Sequence, residues 1–129
     1  MEPQMVAGSA LPIQLPRLYG YAACGTCRKA MAWLRQRGVD IESIDITLQP
    51  PGSEELRSAL AQLGRGRLFN TSGQSYRALG AAAVKAMDDD QALAALAADG
   101  RLIKRPFLIT ADGRIITGFQ EEEWQELLG

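Results

Sequence analysis

The two cysteines of this chain, Cys24 and Cys27, are separated by only two residues and lie between two segments of different periodicity. Upstream, residues 17–21 read RLYGY, a short apolar-leaning run that is typical of a strand entering a turn. Downstream, apolar residues recur with helical spacing from Cys27 to Leu34, and Gly38 supplies a stop. A C-x-x-C motif at a strand-to-helix junction is typical of redox chemistry on a sheet-and-helix fold.

The segments after this first helix predict a second strand and then a block of helices. Residues 39–47 are rich in strand formers, but the apolar alternation changes phase, which predicts a bulge or a late strand start. Residues 53–100 have helical spacing almost throughout. We expect about three helices there, the first capped by Ser53 and the last opened by Asp88 to Asp90.

The last part of the chain returns to strand patterning. FLIT and RIIT flank residues 111–113, Ala-Asp-Gly, which predicts a β-hairpin, and a final helix carries Trp124. The order β-α-β, helices, β-β-α favours a parallel crossover followed by antiparallel strands. We therefore predict an α/β fold with a thioredoxin-like mixed four-stranded sheet and an inserted helical lobe at about 53–100. The alternative is an unrelated α+β domain with the same element order.

The length of 129 residues is enough for one domain, which we assign to residues 17–129. Residues 1–16 contain three prolines and lack the basic start and apolar run of a signal peptide, so we expect a flexible arm there. No stretch approaches the roughly 18 apolar residues that span a bilayer. We expect a cytoplasmic protein with no membrane association.

The chain contains no histidine, which excludes a Cys-His nucleophile pair, a Ser-His-Asp triad and a histidine-ligated metal within it. A zinc site would need carboxylates or a second copy to complete four ligands, so we expect no metal. A permanent structural disulfide and a pair of inert buried thiols also compete with the redox interpretation. The formal net charge of -1 and the lack of a basic stripe argue against direct nucleic-acid binding.

Cys24 is the candidate nucleophile, because it lies at the positive end of the helix dipole. Unpaired N–H groups of the Gly25-Thr26 turn and the side chains of Arg28 and Lys29 favour its thiolate form. Cys27, on the buried side of the helix, is the resolving thiol that attacks a mixed disulfide formed at Cys24.

A second candidate site is Lys104-Arg105-Pro106, directly before the strand FLIT. In a thioredoxin-like layout the first residue of that strand lies beside the C-x-x-C motif, and a proline there is often cis. Arg105 would then face Cys24, stabilise its thiolate and bind an oxyanion or a glutathione carboxylate. The alternative is that both cations are simply solvated residues before a proline.

Four separated motifs resemble the arsenate reductase-like (ArsC) branch of the glutaredoxin-related proteins, which includes the Spx/MgsR transcription regulators: YGYAACGTCRKAMAWL, LFNTSGQSYRALG, LIKRPFLI and TGFQEEEW. The resemblance implies a thioredoxin-like sheet with a helical insertion. It places the family's reactive cysteine on Cys24, the second cysteine on Cys27, and the arginine before the cis-proline on Arg105 with Pro106.

The resemblance also bears on substrate. Arsenate reductases of this family use further arginines to hold arsenate, and those positions fall here on Asn70 and Gly118, which carry no charge. We therefore predict a thiol-disulfide redox protein, with glutathione as a reductant and no bound cofactor, rather than a dedicated arsenate reductase. Glutathione, glutaredoxin or thioredoxin are its expected partners, and a monomer is expected. The alternative is an Spx/MgsR-type redox-sensing regulator that binds the RNA polymerase alpha subunit.

Overall fold

The computed structural model describes residues 15–129, in which four strands form one mixed sheet. Strand β1 spans Arg17–Gly20, β2 Glu42–Asp45, β3 Phe107–Ile109 and β4 Ile115–Thr117. Their order in the sheet is β2-β1-β3-β4, with β1 parallel to β2 and both other pairs antiparallel. The predicted mixed four-stranded sheet is confirmed, and β2 starts late, as the change of phase in residues 39–47 predicted.

Six α-helices and two 3-10 turns are found within residues 15–129: α1 Gly25–Gln36, α2 Ser53–Leu63, α3 Gln74–Leu79, α4 Ala81–Ala86, α5 Asp89–Ala98 and α6 Glu121–Leu128, with turns at Arg65–Arg67 and Gly100–Leu102. The lobe between β2 and β3 thus holds four α-helices, and the expectation of about three was wrong. The break lies at Gly80, whose φ of 90° and ψ of 136° separate α3 from α4. This left-handed φ favours glycine and ends a helical run that the apolar spacing alone would continue.

The start of α2 also differs from the prediction. Ser53 is its first helical residue, and the N-cap is Gly52, whose backbone N–H donates to Glu55 Oε1 at 2.8 Å. Without a side chain at the cap, the glutamate carboxylate satisfies the orphan donor there. The predicted opening of α5 is confirmed, since the Asp88 carboxylate accepts from the backbone N–H of Gln91 at 2.8 Å.

Alternate residues of the sheet face two separate apolar layers. Leu18 and Leu108 pack with α1 and with Trp124 of α6 on one face. Tyr19 and Phe107 pack with the helical lobe on the other face, and their rings meet edge to face at 5.8 Å. The alternation of strand side chains therefore puts α1 and the lobe on opposite faces, with the α1 N-terminus at the end of β1.

Residues 1–14, most of the predicted N-terminal arm, lie outside the described residues. In the part of the chain from residue 15 onward, no helix combines the length and apolar character that a membrane span requires.

Candidate functional site

The two cysteines meet at the start of α1. Cys24 is the N-cap, and its Sγ accepts the backbone N–H of Cys27 at 3.2 Å. The Cys27 thiol also donates to Cys24 Sγ, with the two sulfur atoms 2.6 Å apart. Both are free thiols, Cys24 half-buried and Cys27 buried. Two donors from Cys27 therefore converge on one sulfur.

Burial makes the two thiols unequal. Desolvation, together with the hydrogen bond to Cys24, raises the pKa of Cys27 from its ordinary value of 9.0 to about 12. The backbone of Tyr21 and the charge of Arg105 act in the opposite direction on the same thiol, but they do not outweigh burial. Cys27 is therefore a protonated donor near neutral pH, and Cys24 is its acceptor.

Gly20, the last residue of β1, allows this packing. A Cβ atom built on Gly20 would lie 2.8 Å from Cys27 Sγ and 3.2 Å from Cys27 Cβ. Any other residue would push Cys27 away from its place under Cys24. The sequence did not single out Gly20, although a glycine at the end of a strand is a signal for close approach of another group.

The remaining predicted residues around Cys24 have different surroundings. Gly25 and Thr26 are exposed in the first turn of α1. Arg28 Nη1 donates to the carbonyl oxygen of Ala22 at 2.7 Å, so its guanidinium is held against the loop that carries Cys24. Lys29 is exposed on α1. Their predicted part in stabilising the thiolate stays a prediction.

The Arg105–Pro106 peptide bond is cis, as the layout predicted, and Pro106 is buried just before β3. The guanidinium carbon of Arg105 lies over the ring of Tyr21, 4.6 Å from its centroid. Tyr21 in turn accepts the backbone N–H of Cys24 at 3.1 Å through its carbonyl oxygen. The structure thus brings Arg105 to the loop before Cys24, and its charge reaches Cys27. Its predicted role toward Cys24 itself stays a prediction.

A cavity of about 540 Å³ opens beside this arginine. It is lined by polar side chains, one aromatic ring and one glycine: Tyr21, Asn70, Gly73, Gln74, Ser75, Arg101 and Arg105. Asn70, at one of the positions where the resemblance expects an arginine, lies in this lining, whereas Gly118 does not. The sequence did not predict Tyr21, Gln74, Ser75 or Arg101 here, because three distant segments meet at the cavity.

A second groove, also of about 540 Å³, lies between α1 and β2. Its lining includes Cys27, Met31 and Ile44, and Tyr21 borders both spaces. Among residues 15–129, no three or more potential metal-ligating side chains cluster closely enough to hold a metal ion.

A four-stranded mixed sheet of this order, with helices on both faces and a thiol pair at its first strand-to-helix junction, is thioredoxin-like. Family comparison narrows the class, because residues 19–127 match the model of the ArsC family. The chain belongs to the ArsC family, and the resemblance drawn from the four motifs is confirmed.

Individual relatives agree with this assignment. The chain is 45% identical over 112 residues to the uncharacterized protein YusI of Bacillus subtilis, covering 84% of this chain and 93% of the relative. The crystal structure of a possible arsenate reductase from Streptococcus mutans superposes with a TM-score of 0.79 at 39% identity, covering 87% and 98% of the two chains. The global transcriptional regulator Spx of Enterococcus faecalis is 28% identical, covering 86% and 84%.

Proposed function

We propose that this protein is a thiol-disulfide reductase in which Cys24 is the nucleophile and Cys27 the resolving thiol. The observation that carries the proposal is the convergence of the Cys27 N–H and S–H groups on Cys24 Sγ, at 3.2 and 2.6 Å. These donors stabilise a thiolate without an imidazole, which the chain lacks.

The reaction begins when the Cys24 thiolate attacks one sulfur of a substrate disulfide, RS–SR′. The S–S bond breaks, R′S⁻ leaves and takes up a proton, and a mixed disulfide between Cys24 and RS forms. Cys24 then carries no negative charge. Because that charge is one of the causes that raise the pKa of Cys27, its removal makes Cys27 easier to ionise.

The second step uses the Cys27 thiol that has given its proton to solvent. Its thiolate attacks Cys24 Sγ, the bond between Cys24 and RS breaks, and RS⁻ leaves and takes up a proton as the second thiol product. Two electrons have passed to the substrate, and Cys24 and Cys27 are joined as a disulfide. Two molecules of glutathione restore the thiols and become glutathione disulfide. A dithiol protein such as glutaredoxin or thioredoxin supplies the same two electrons.

Dedicated arsenate reduction is the weaker assignment. Asn70 and Gly118 stand at the positions where the resemblance expects oxyanion-binding arginines. Each lost charge-assisted hydrogen bond corresponds to about 1.5–3 kcal/mol of binding. Ordinary enzyme turnover of arsenate with glutathione and glutaredoxin would contradict this part of the proposal.

The test is turnover of the neutral 2-hydroxyethyl disulfide with glutathione, coupled to glutathione reductase. We expect Cys24→Ser to abolish turnover. We expect Cys27→Ser, treated with 2-hydroxyethyl disulfide before glutathione is added, to accumulate a mixed disulfide between Cys24 and 2-mercaptoethanol, visible as the added mass of that group. Arg57→Ala, on the exposed side of α2, is the matched control and should react like the wild type. Full turnover by Cys24→Ser would refute the assignment of the nucleophile.

The second candidate is a redox-sensing regulator that binds the RNA polymerase alpha subunit. It is favoured by the relative that bears the name of the transcriptional regulator Spx, and by a thiol pair that is as suitable for a switch as for turnover. Purified RNA polymerase should then capture the wild type differently under reducing and oxidising conditions. Cys24→Ser should lose that difference. Redox-dependent capture together with no turnover would favour the regulator over the reductase.

A further inference from the structure

The sheet has two edges, and side chains of the helical lobe cap one of them. At β4, the N–H of Ile115 donates to Gln62 Oε1 at 2.9 Å. The carbonyl oxygen of Thr117 accepts from Arg67 Nη2 at 2.7 Å. Both backbone groups lie on the outer side of β4, where a further strand would have to pair. The lobe therefore protects this edge from strand addition.

The opposite edge, β2, has no such protection within the described chain. Toward β1, the N–H of Glu42 donates at 2.8 Å, and that of Ile46, directly after β2, donates at 2.9 Å. Because these bonds alternate along a parallel strand, the backbone groups of Ser43 point away from β1. Within residues 15–129, no hydrogen-bond partner is found for the N–H or the carbonyl oxygen of Ser43, or for the N–H of Asp45. The outer side of β2 is thus ready to pair with another extended chain.

The groove of about 540 Å³ between α1 and β2 lies beside this edge. Its lining includes the apolar side chains of Leu18, Met31 and Ile44. Side chains of a strand added to β2 would alternate between the two faces of the sheet, so every second one would point toward α1 and the groove. Main-chain hydrogen bonds to the edge and a pocket for alternate side chains are the two requirements for recognition by strand addition.

An exposed leucine lies at the end of the same edge. Leu48 follows β2 in a turn, where its N–H donates to the carbonyl oxygen of Asp45 at 3.1 Å. Its side chain is 82% exposed, more than any other large apolar side chain in the part of the chain from residue 15 onward. An extended segment that continues past the end of β2 would cover Leu48 and remove apolar surface from water.

The charges at the edge indicate what such a segment carries. Asp40, Glu42 and Asp45 are exposed, and none of them forms a salt bridge within the described residues. The cations of the groove, Arg28 and Arg35, lie on α1, across the groove from the edge. A second copy of the chain that paired through β2 would bring carboxylates of both strands together, which is unfavourable. Basic residues on the added segment would neutralise them instead.

We propose that the outer edge of β2, together with the groove beside it, is a docking site for an extended segment of a partner protein, which adds a strand to the sheet. The segment carries apolar side chains for the groove and basic side chains between them. Docking uses neither Cys24 nor Cys27, so this site goes beyond the proposed thiol-disulfide chemistry and does not depend on it.

The probe is a fluorescein-labelled peptide of about eight residues in which lysine alternates with valine, long enough for one strand. Fluorescence anisotropy measures its affinity. Two further peptides carry N-methyl groups on the backbone of every valine or of every lysine. Only one of these two sets of N–H groups faces β2 in an added strand. We therefore expect one methylated peptide to lose at least about tenfold in affinity and the other to bind like the parent.

Variants of the edge test the same contacts from the side of the protein. Ser43→Pro removes the outward N–H and leaves the inward bonds of its neighbours, an exchange that edge strands tolerate. It should weaken binding about tenfold. Leu48→Ser changes an exposed side chain, so the fold is kept, and it should weaken binding severalfold. Glu42→Lys should weaken binding of the lysine peptide and strengthen binding of a glutamate-valine peptide. Glu126→Lys, the same change of charge on the exposed side of α6, is the matched control and should alter neither.

Four outcomes would overturn the proposal. They are no binding of the lysine peptide by the wild type at about 1 mM, equal effects of the two methylated peptides, equal affinity for the lysine and glutamate peptides, and self-association of the protein that Ser43→Pro abolishes. The last of these would make a second copy the occupant. Cys24→Ser should bind the peptide as the wild type does, so failure of docking and failure of the thiol-disulfide chemistry give different results.

Discussion

At the scale of single residues, the two thiols are unequal, because one sulfur receives hydrogen bonds from its partner. Cys24 is the acceptor of both the N–H and the S–H of Cys27. Cys27 is a donor because burial disfavours its thiolate. In a chain without histidine, the inequality of the two thiols comes from their difference in burial.

This difference predicts the order of alkylation. Because the pKa of Cys27 is raised to about 12, its thiolate is scarce at neutral pH, and iodoacetamide should modify Cys24 first. Peptide mass mapping of the native protein at several pH values measures both rates. The Cys27 rate should rise about tenfold for each pH unit above neutrality. Equal rates in the native protein would contradict the prediction, and equal rates after denaturation are the control.

Gly20→Ala tests the close approach that holds Cys27 in place. The new Cβ would lie 2.8 Å from Cys27 Sγ, so we expect a loss of about 1–3 kcal/mol in the free energy of unfolding. Urea unfolding of the reduced protein measures it. Gly66→Ala is the control, because no atom lies within 4 Å of a Cβ there. If Cys27→Ala did not reduce the cost of Gly20→Ala, the clash with the sulfur would not be its cause.

At the scale of elements, local signals predicted most of the architecture. The apolar residues with helical spacing from Cys27 to Leu34 lie in α1, and residues 111–113 make the hairpin turn between β3 and β4. The two wrong predictions, the number of helices in the lobe and the cap of α2, concern local backbone effects that apolar spacing does not reveal. Gly80 interrupts an otherwise continuous apolar stripe, and Gly52 takes the cap position because the Glu55 carboxylate reaches its N–H.

Gly100 shows how the elements are held together. It opens the 3-10 turn after α5 and lies against the carbonyl of Ile46, which follows β2. A Cβ there would come 1.8 Å from that oxygen, and main chain cannot move aside as a side chain does. We expect Gly100→Ala to lower the free energy of unfolding by about 3 kcal/mol or more. A thermal melt no different from that of Gly66→Ala would show that this contact is not required.

At the scale of the whole molecule, the sequence predicted the thiol pair but not the cavity beside it. The reactive groups of a C-x-x-C motif are close together in the sequence, so Cys24 and Cys27 could be identified directly as candidate site residues. Arg101, Asn70 and Tyr21 come from three segments that only the folded chain brings together. No sequence periodicity connects these residues, and only the fold shows that they line the same cavity.

The stability of the reduced protein should decrease in alkaline solution. The pKa of Cys27 is raised by burial from 9.0 to about 12, so above pH 9 the unfolded chain loses a proton that the folded chain retains. The contribution of Cys27 is therefore complete below about pH 9 and is lost as the pH rises toward 12. Burial also raises the pKa of Tyr19, which adds a second loss at the same end of the scale.

Comparison of the wild type with Cys27→Ala separates the contribution of Cys27 to the pH dependence from that of Tyr19, because both proteins contain Tyr19. Between about pH 9 and pH 11, the difference in free energy of unfolding between them should narrow steadily, whereas from about pH 6 to pH 8 it should stay constant. Oxidised wild type, in which Cys24 and Cys27 form a disulfide, has no thiol to titrate and should lack the Cys27 part of the slope. Urea unfolding at each pH supplies the free energies. A difference that stays constant across the whole range would mean that the buried thiol is not what makes the fold sensitive to alkali.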